Sequence, residues 1–158
     1  AAFQATGLHV LDYYLNAPPF DWLGGYARRV ARADSMTAAE NKATAAARDS
    51  LSKPSLPLAR YAATYEDAWY GTVTVTMEGG GLAMTFDKTP ALVGDMVHWQ
   101  YDTWLVKWRD RELRADAFVT FTLNEEGKVA GATMKPASPE VDFSFDFQDL
   151  DLRPVAKK

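Results

Sequence analysis

His98, Gln100 and Asp102 stand at positions i, i+2 and i+4, the spacing that puts three side chains on one face of a β-strand. An imidazole beside a carboxylate can hold a metal ion, relay a proton, or close a hydrogen bond between two polar groups. A metal site would draw on His98 and Asp102, with Asp95 as a third ligand. One imidazole and two carboxylates make a thin set, and the other histidine, His9, lies far away in the chain. The expectation is therefore a His98–Asp102 hydrogen bond. The stretch around them, "VHWQYDTWLVKW", also carries Trp99, Tyr101, Trp104 and Trp108, so three of the five tryptophans fall within ten residues.

Other chemistry is thinner still. "SLSK" (Ser50 to Lys53) and "YLN" (Tyr14 to Asn16) match the S-x-x-K and Y-x-N letters of serine-acylating enzymes. In those enzymes, however, the serine opens a helix, whereas Ser50 precedes a proline-rich linker. "DKTP" lacks the glycine of a K-T-G strand, and no G-x-S-x-G nucleophile elbow occurs. The glycines of "EGGGL" join two strand-like runs, not a strand and a helix, so no phosphate loop is indicated. No catalytic set, metal or cofactor is expected.

The chain has 158 residues, enough for one domain with an appended segment. Its net charge of −4 and pI of about 5.1 argue against nucleic acid as a partner. No apolar run approaches the roughly 20 residues of a membrane helix. With no cysteine, disulfides and thiolate metal sites are excluded. "AAFQATG" reads as the interior of a longer gene product or as a trimmed start.

The elements that must position these residues change character near residue 55. Upstream, Leu8, Leu11 and Leu15 predict one apolar helix face, stopped by Asn16 and the Pro18-Pro19 pair. Asp21 is placed to cap a second helix with a buried stripe of Trp22, Tyr26 and Val30. Thr37 and Glu40 fit a capping box, so a break is expected there. "KPSLPLARY" (Lys53 to Tyr61) is the linker. Beyond it "GTVTVTM", "LAMTF", "FVTFTL", "VAGATM" and "VDFSFDF" alternate with period two between tight turns. About eight strands in this length hide their edges most economically as a closed antiparallel barrel. The fold expected is α+β and mainly β: a helical arm over 1–54 and a barrel over 55–158.

Within the aromatic stretch the phase changes. Val97, Trp99 and Tyr101 are apolar at odd positions, and Trp104, Val106 and Trp108 at even ones. One face would carry His98, Gln100 and Asp102 and continue as Trp104, Val106 and Trp108 unless a bulge intervenes. This predicts a polar lip above an aromatic wall. His98, Trp99, Gln100, Tyr101, Asp102, Trp104 and Trp108 are the residues expected to line any pocket.

Taken together, "LARYAATYEDAWYGTVTVT", "HWQYDTW", "FVTFTLNEEGKV" and "DFSFDFQDL" resemble the C-terminal domain of unknown function, DUF3471, found behind β-lactamase-related serine hydrolases of the class C and penicillin-binding-protein type. "VLDYYLNAPPFDW" is similar to the segment in which such proteins leave the catalytic domain. The family's His-Trp-His-Tyr-Asp pattern has Gln100 at its second histidine here, which weakens any metal or acid–base role for that face. The resemblance implies a non-catalytic accessory domain with a lipocalin-like barrel, in a periplasmic or secreted parent. The parent's nucleophile serine, lysine and tyrosine would then lie upstream of Ala1. It also implies two kinds of partner, the upstream hydrolase domain and a small apolar or cell-envelope ligand. Exposure of the Leu8, Leu11 and Leu15 face would be unfavourable, so the arm is expected to fold back on its own barrel or to pair with a second copy. The alternative function is a small-molecule or lipid carrier whose barrel interior is lined by Trp99, Tyr101, Trp104 and Trp108.

Overall fold

The computed structural model describes residues 2–155. The chain divides into two compact units, Ala1–Ala46 and Ala47–Lys158. The first is a helical pair, α1 (Ala2–Tyr14) and α2 (Trp22–Ala46). α1 ends where the sequence predicts, with Asn16 in the left-handed region at φ 50° and the proline pair behind it. α2 starts on Asp21, whose Oδ1 accepts the Gly24 amide at 2.8 Å. Trp22 Nε1 donates to Asp12 at 2.5 Å and ties the two helices together.

Two expectations fail in this unit. α2 runs unbroken through Thr37 and Glu40, because that stretch is alanine-rich and contains no proline or glycine. Its supposed buried stripe is not buried: Trp22 and Tyr26 are half-buried, and Val30 is 45% exposed. α1, with 13 residues against 25, is too short to cover the length of α2. The face of Leu8, Leu11 and Leu15 is likewise open, with Leu8 half-buried and the other two exposed.

The second unit is a closed barrel of eight antiparallel strands in simple meander order, β8 returning to pair with β1. The strands are β1 (Thr64–Asp67), β2 (Gly71–Glu78), β3 (Gly81–Phe86), β4 (Val93–Gln100), β5 (Thr103–Trp108), β6 (Ala117–Leu123), β7 (Val129–Pro136) and β8 (Asp151–Pro154). Alternation decides which side chains fill the interior. Val73 and Val75, Leu82 and Met84, Trp104, Val106 and Trp108, Val119 and Phe121, Met134 and Leu152 all point inward and are buried. Between β2 and β3, Gly79 and Gly80 both have positive φ, 56° and 82°, as a two-residue hairpin with the twist of its strands requires.

Because neighbouring strands run in opposite directions, one barrel end gathers the turns after β2, β4 and β6 and the chain leading into β1. The turns after β1, β3, β5 and β7 gather at the other end. The first end is closed by the chain before β1. Leu56, Leu58, Ala62 and Ala63 pack on the core there, and Tyr61 enters it completely.

"VDFSFDF" is not a strand. Residues 141–146 form turns, and Phe147–Asp149 is a short 3-10 helix. The Asp142 carboxylate accepts the Ser144 amide, its carbonyl accepts Phe145 N, and the Asp146 carbonyl accepts Asp149 N. Local turn bonds of this kind outcompete the ladder that period-two letters suggest. Phe143 is consequently 88% exposed, while Phe147 is buried against Trp108.

Gly94 in β4 faces Trp108 across the ladder. A Cβ there would lie 2.7 Å from Val106 Cγ1 and 2.8 Å from Trp108 Cε3, side chains already fixed in the core. Gly94→Ala should therefore cost about 1–3 kcal/mol through overpacking. Urea unfolding measures this, and an unchanged midpoint would show that the Trp108 wall yields.

Candidate functional site

The residues singled out in the sequence do not form one strand face. β4 ends at Gln100, Tyr101 and Asp102 make the turn, and β5 starts at Thr103. The ladder slips between His98 and Gln100, which is the bulge that the change of phase allows. Tyr101 adopts φ 45°, unusual for an aromatic residue. The apolar set therefore splits. Trp104 and Trp108 lie inside the barrel, whereas Trp99 lies on its outside and Tyr101 is 58% exposed.

Trp104 meets Tyr61 edge-on at 5.7 Å and His98 at 5.1 Å. Trp108 donates its indole N–H to the Ala115 carbonyl at 2.7 Å. Both are walls of a filled core, and Trp99 and Tyr101 do not share an interior lining with them. The interior pocket expected of a carrier is thus not what these four aromatics build.

The His98–Asp102 pair also fails. His98 Nε2–H donates to the Tyr101 carbonyl at 2.9 Å, stabilising the turn. Asp95, the third ligand of the metal alternative, faces outward and binds Arg109 at 2.7 Å. Among the described residues no group of three or more His, Cys, Asp or Glu is arranged to hold a metal ion.

What the hairpin does hold is the chain that enters the barrel. Arg48 Nε donates to the Trp99 carbonyl at 2.7 Å and its Nη2 to the His98 carbonyl at 3.1 Å. The same guanidinium lies 4.8 Å over the Trp99 ring, which also meets Phe118 at 4.9 Å. Gln100 Oε1 accepts the Asp49 amide at 2.9 Å. Tyr101 donates its hydroxyl to Asp49 at 2.9 Å and its amide to Ser52 Oγ at 3.0 Å. These two bonds hold the left-handed turn residue in place.

Asp102 is the centre of this latch. Its carboxylate accepts the Ser55 amide at 2.9 Å, the Ser55 hydroxyl at 2.7 Å, and the Tyr61 hydroxyl in a short bond. Tyr61 Oη in turn accepts the Leu56 amide at 3.1 Å. Burial by itself would raise the Asp102 pKa, but the Tyr61 and Ser55 donors outweigh it and hold the carboxyl below its ordinary value. The Tyr61 phenol is pushed up to about 12, by burial first and by Asp102 second. Asp49 is held low chiefly by the Tyr101 hydroxyl, with help from the Leu51 amide.

Arg48, Asp49, Ser52, Ser55 and Tyr61 are the functional residues that the sequence reading missed. "RDSLS" did carry one local signal. An aspartate followed by Ser at i+3 can fold an Asx turn, and the Asp49 side chain accepts both the Leu51 and Ser52 amides here.

Because Asp102 is depressed in the folded state, its contribution is fully present above the unfolded aspartate value of about 4 and disappears as pH falls through the folded value below it. Asp102→Asn should cost about 1–3 kcal/mol at pH 7. The gap between the two proteins should narrow below about pH 4. A constant gap in urea midpoints from pH 7 to pH 2 would show that the carboxylate charge is not what the donors stabilise.

The family model described as "Domain of unknown function (DUF3471)" matches residues 47–154. No curated protein matches the chain significantly. Among solved structures, the chain is similar to the crystal structure of the C-terminal domain of penicillin binding protein Rv0907, at 20% identity and a TM-score of 0.47, with 66% of this chain and 88% of that one covered. The family match opens at Ala47, one residue before the first latch contact, and runs to the last residue of β8. Connector and barrel are matched as a single unit, and the chain belongs to the DUF3471 family.

Proposed function

We propose that this chain is a non-catalytic accessory part of a β-lactamase-related serine hydrolase, and that its barrel fixes the path of the connector on the way to the catalytic domain. The observation that carries this reading is the latch. Four connector residues, Arg48, Asp49, Ser52 and Ser55, bond to the β4–β5 hairpin. The most distinctive letters of the barrel, His98 to Asp102, are thereby spent on holding the incoming chain. Charge-assisted bonds from Arg48 and to Asp102 offset the conformational entropy lost on ordering the connector, about 1–2 kcal/mol per residue.

The family itself has no assigned function, so the hydrolase parent rests on the sequence resemblance. In this reading the nucleophile, its lysine and its tyrosine belong to the upstream domain, and the parent works in the periplasm or outside the cell. The exposed Leu11, Tyr13 and Tyr14 of α1, with Leu15 just after it, are the surface that this domain would cover. Ser50 and Lys53 take no part in chemistry, since Ser50 lies in an exposed turn after α2 and not at the start of a helix.

The chain should leave a chromogenic cephalosporin, a nitrophenyl ester and a D-alanyl-D-alanine peptide uncleaved. Turnover of any of them that Ser50→Ala abolishes would overturn the accessory reading.

A further inference from the structure

The barrel end opposite the latch is shaped differently. A groove of about 290 Å3 opens there between the β1–β2 turn, the chain joining β3 to β4, and residues 144–150. Its apolar body is Phe86, Leu92, Phe145, Phe147 and Leu150, with Tyr70 beside them. The aromatic side chains continue into the core as a series: Phe145 stacks on Phe147 at 5.7 Å, Phe147 on Trp108 at 6.0 Å, and Trp108 meets Phe86 at 5.9 Å. The groove floor is thus the outer end of the packed interior.

Trp69 stands at the rim with 84% of its surface exposed. An indole left open in this way is costly, yet its backbone is held firmly. The buried Asp67 carboxylate accepts the Trp69 amide at 2.8 Å, the Tyr70 amide at 2.9 Å and the Asp151 amide at 2.8 Å. The backbone that carries Trp69 is thus fixed beside the apolar slot.

The charge around the slot has a definite sign. Asp146 lies in the lining, and its side chain caps no backbone amide. Asp146, Asp149 and Asp67 all act on the Tyr70 phenol, which burial first and these three charges next push above its usual value. The lining holds one cation, Lys88, and its ammonium lies 3.6 Å from the Asp87 carboxylate. The slot therefore combines aromatic faces with a negative field, the environment that stabilises a cation attached to an apolar body.

We propose that this groove is a binding site for a small organic cation, an amine or quaternary ammonium carried on a flat apolar group. The apolar group lies on Phe145 and Leu92, and the cationic head sits between Trp69, Tyr70 and Asp146. The volume suits a compact molecule at the lower limit of small-ligand pockets. This site lies outside the residues that the latch uses and does not depend on the accessory reading.

The test uses two probes of matched shape and opposite charge, phenethylammonium and 3-phenylpropionate, titrated into the whole chain. Binding is read from the indole N–H resonances and assigned to Trp69 with Trp69→Phe. The expected result is saturable binding of phenethylammonium at millimolar concentration or below, weakened by added salt, with 3-phenylpropionate binding at least several-fold more weakly. Asp146→Asn should weaken the cation roughly threefold to tenfold. Trp69→Ala should weaken it about three- to thirtyfold. Both side chains lie at the rim, so neither variant should disturb folding. The proposal is overturned if 3-phenylpropionate binds as well as the amine, if the amine shifts rise linearly without saturation, or if both variants bind like the parent.

Discussion

A half-buried carboxylate has lost part of its hydration, and hydrogen-bond donors must replace what is lost. Asp102 meets this constraint with groups that precede the barrel in sequence, the Ser55 amide and hydroxyl and the Tyr61 hydroxyl. Three features follow from that one demand. The connector is held across the β4–β5 turn. Tyr61 is drawn into the interior, where it packs on Trp104 and Phe121 and accepts the Tyr65 hydroxyl on its carbonyl. The tight turn at Tyr101, with its left-handed backbone, is held by Asp49 and Ser52 from the same connector.

The two ends of the barrel are thus used in different ways. One is sealed by the connector and its polar latch. The other keeps an apolar slot between Trp69 and Phe147, under the charge of Asp146. A meander barrel permits this division, because alternate turns are collected at opposite ends and can change without disturbing each other. The strands between them need only preserve the alternation that fills the interior.

That alternation is the part of the fold most legible in the letters. Val73 and Val75, Leu82 and Met84, and Val119 and Phe121 announce their inward face by period two, and the observed register places them there. The change of phase after Tyr101 was visible as well, but its cause is a turn and a slipped ladder, not the continuation of one strand face. "VDFSFDF" shows where the pattern misleads. Its alternation is as regular as that of β2, yet the Asp142 carboxylate and the Asp142 and Asp146 backbone carbonyls close turns that the period alone cannot reveal. The latch was illegible for another reason. Its partners lie 41 to 52 residues apart, and pairs such as Arg48 with the Trp99 carbonyl or Ser55 with Asp102 carry no periodicity. Reading His98 with Asp102 was the natural local inference. It failed because the imidazole donates to the Tyr101 backbone carbonyl three residues away.

Native-state hydrogen exchange at the Asp49, Ser55 and Leu56 amides tests the latch most directly, because all three donate to side chains of the latch and to no secondary structure. The account predicts protection at these amides well above that of an open chain, with Ser55 and Leu56 losing it together in Asp102→Asn while the β6–β7 amides keep theirs. Exchange of all three at the rate of an unstructured peptide, beside fully protected strands, would contradict it and leave the connector unattached to the barrel.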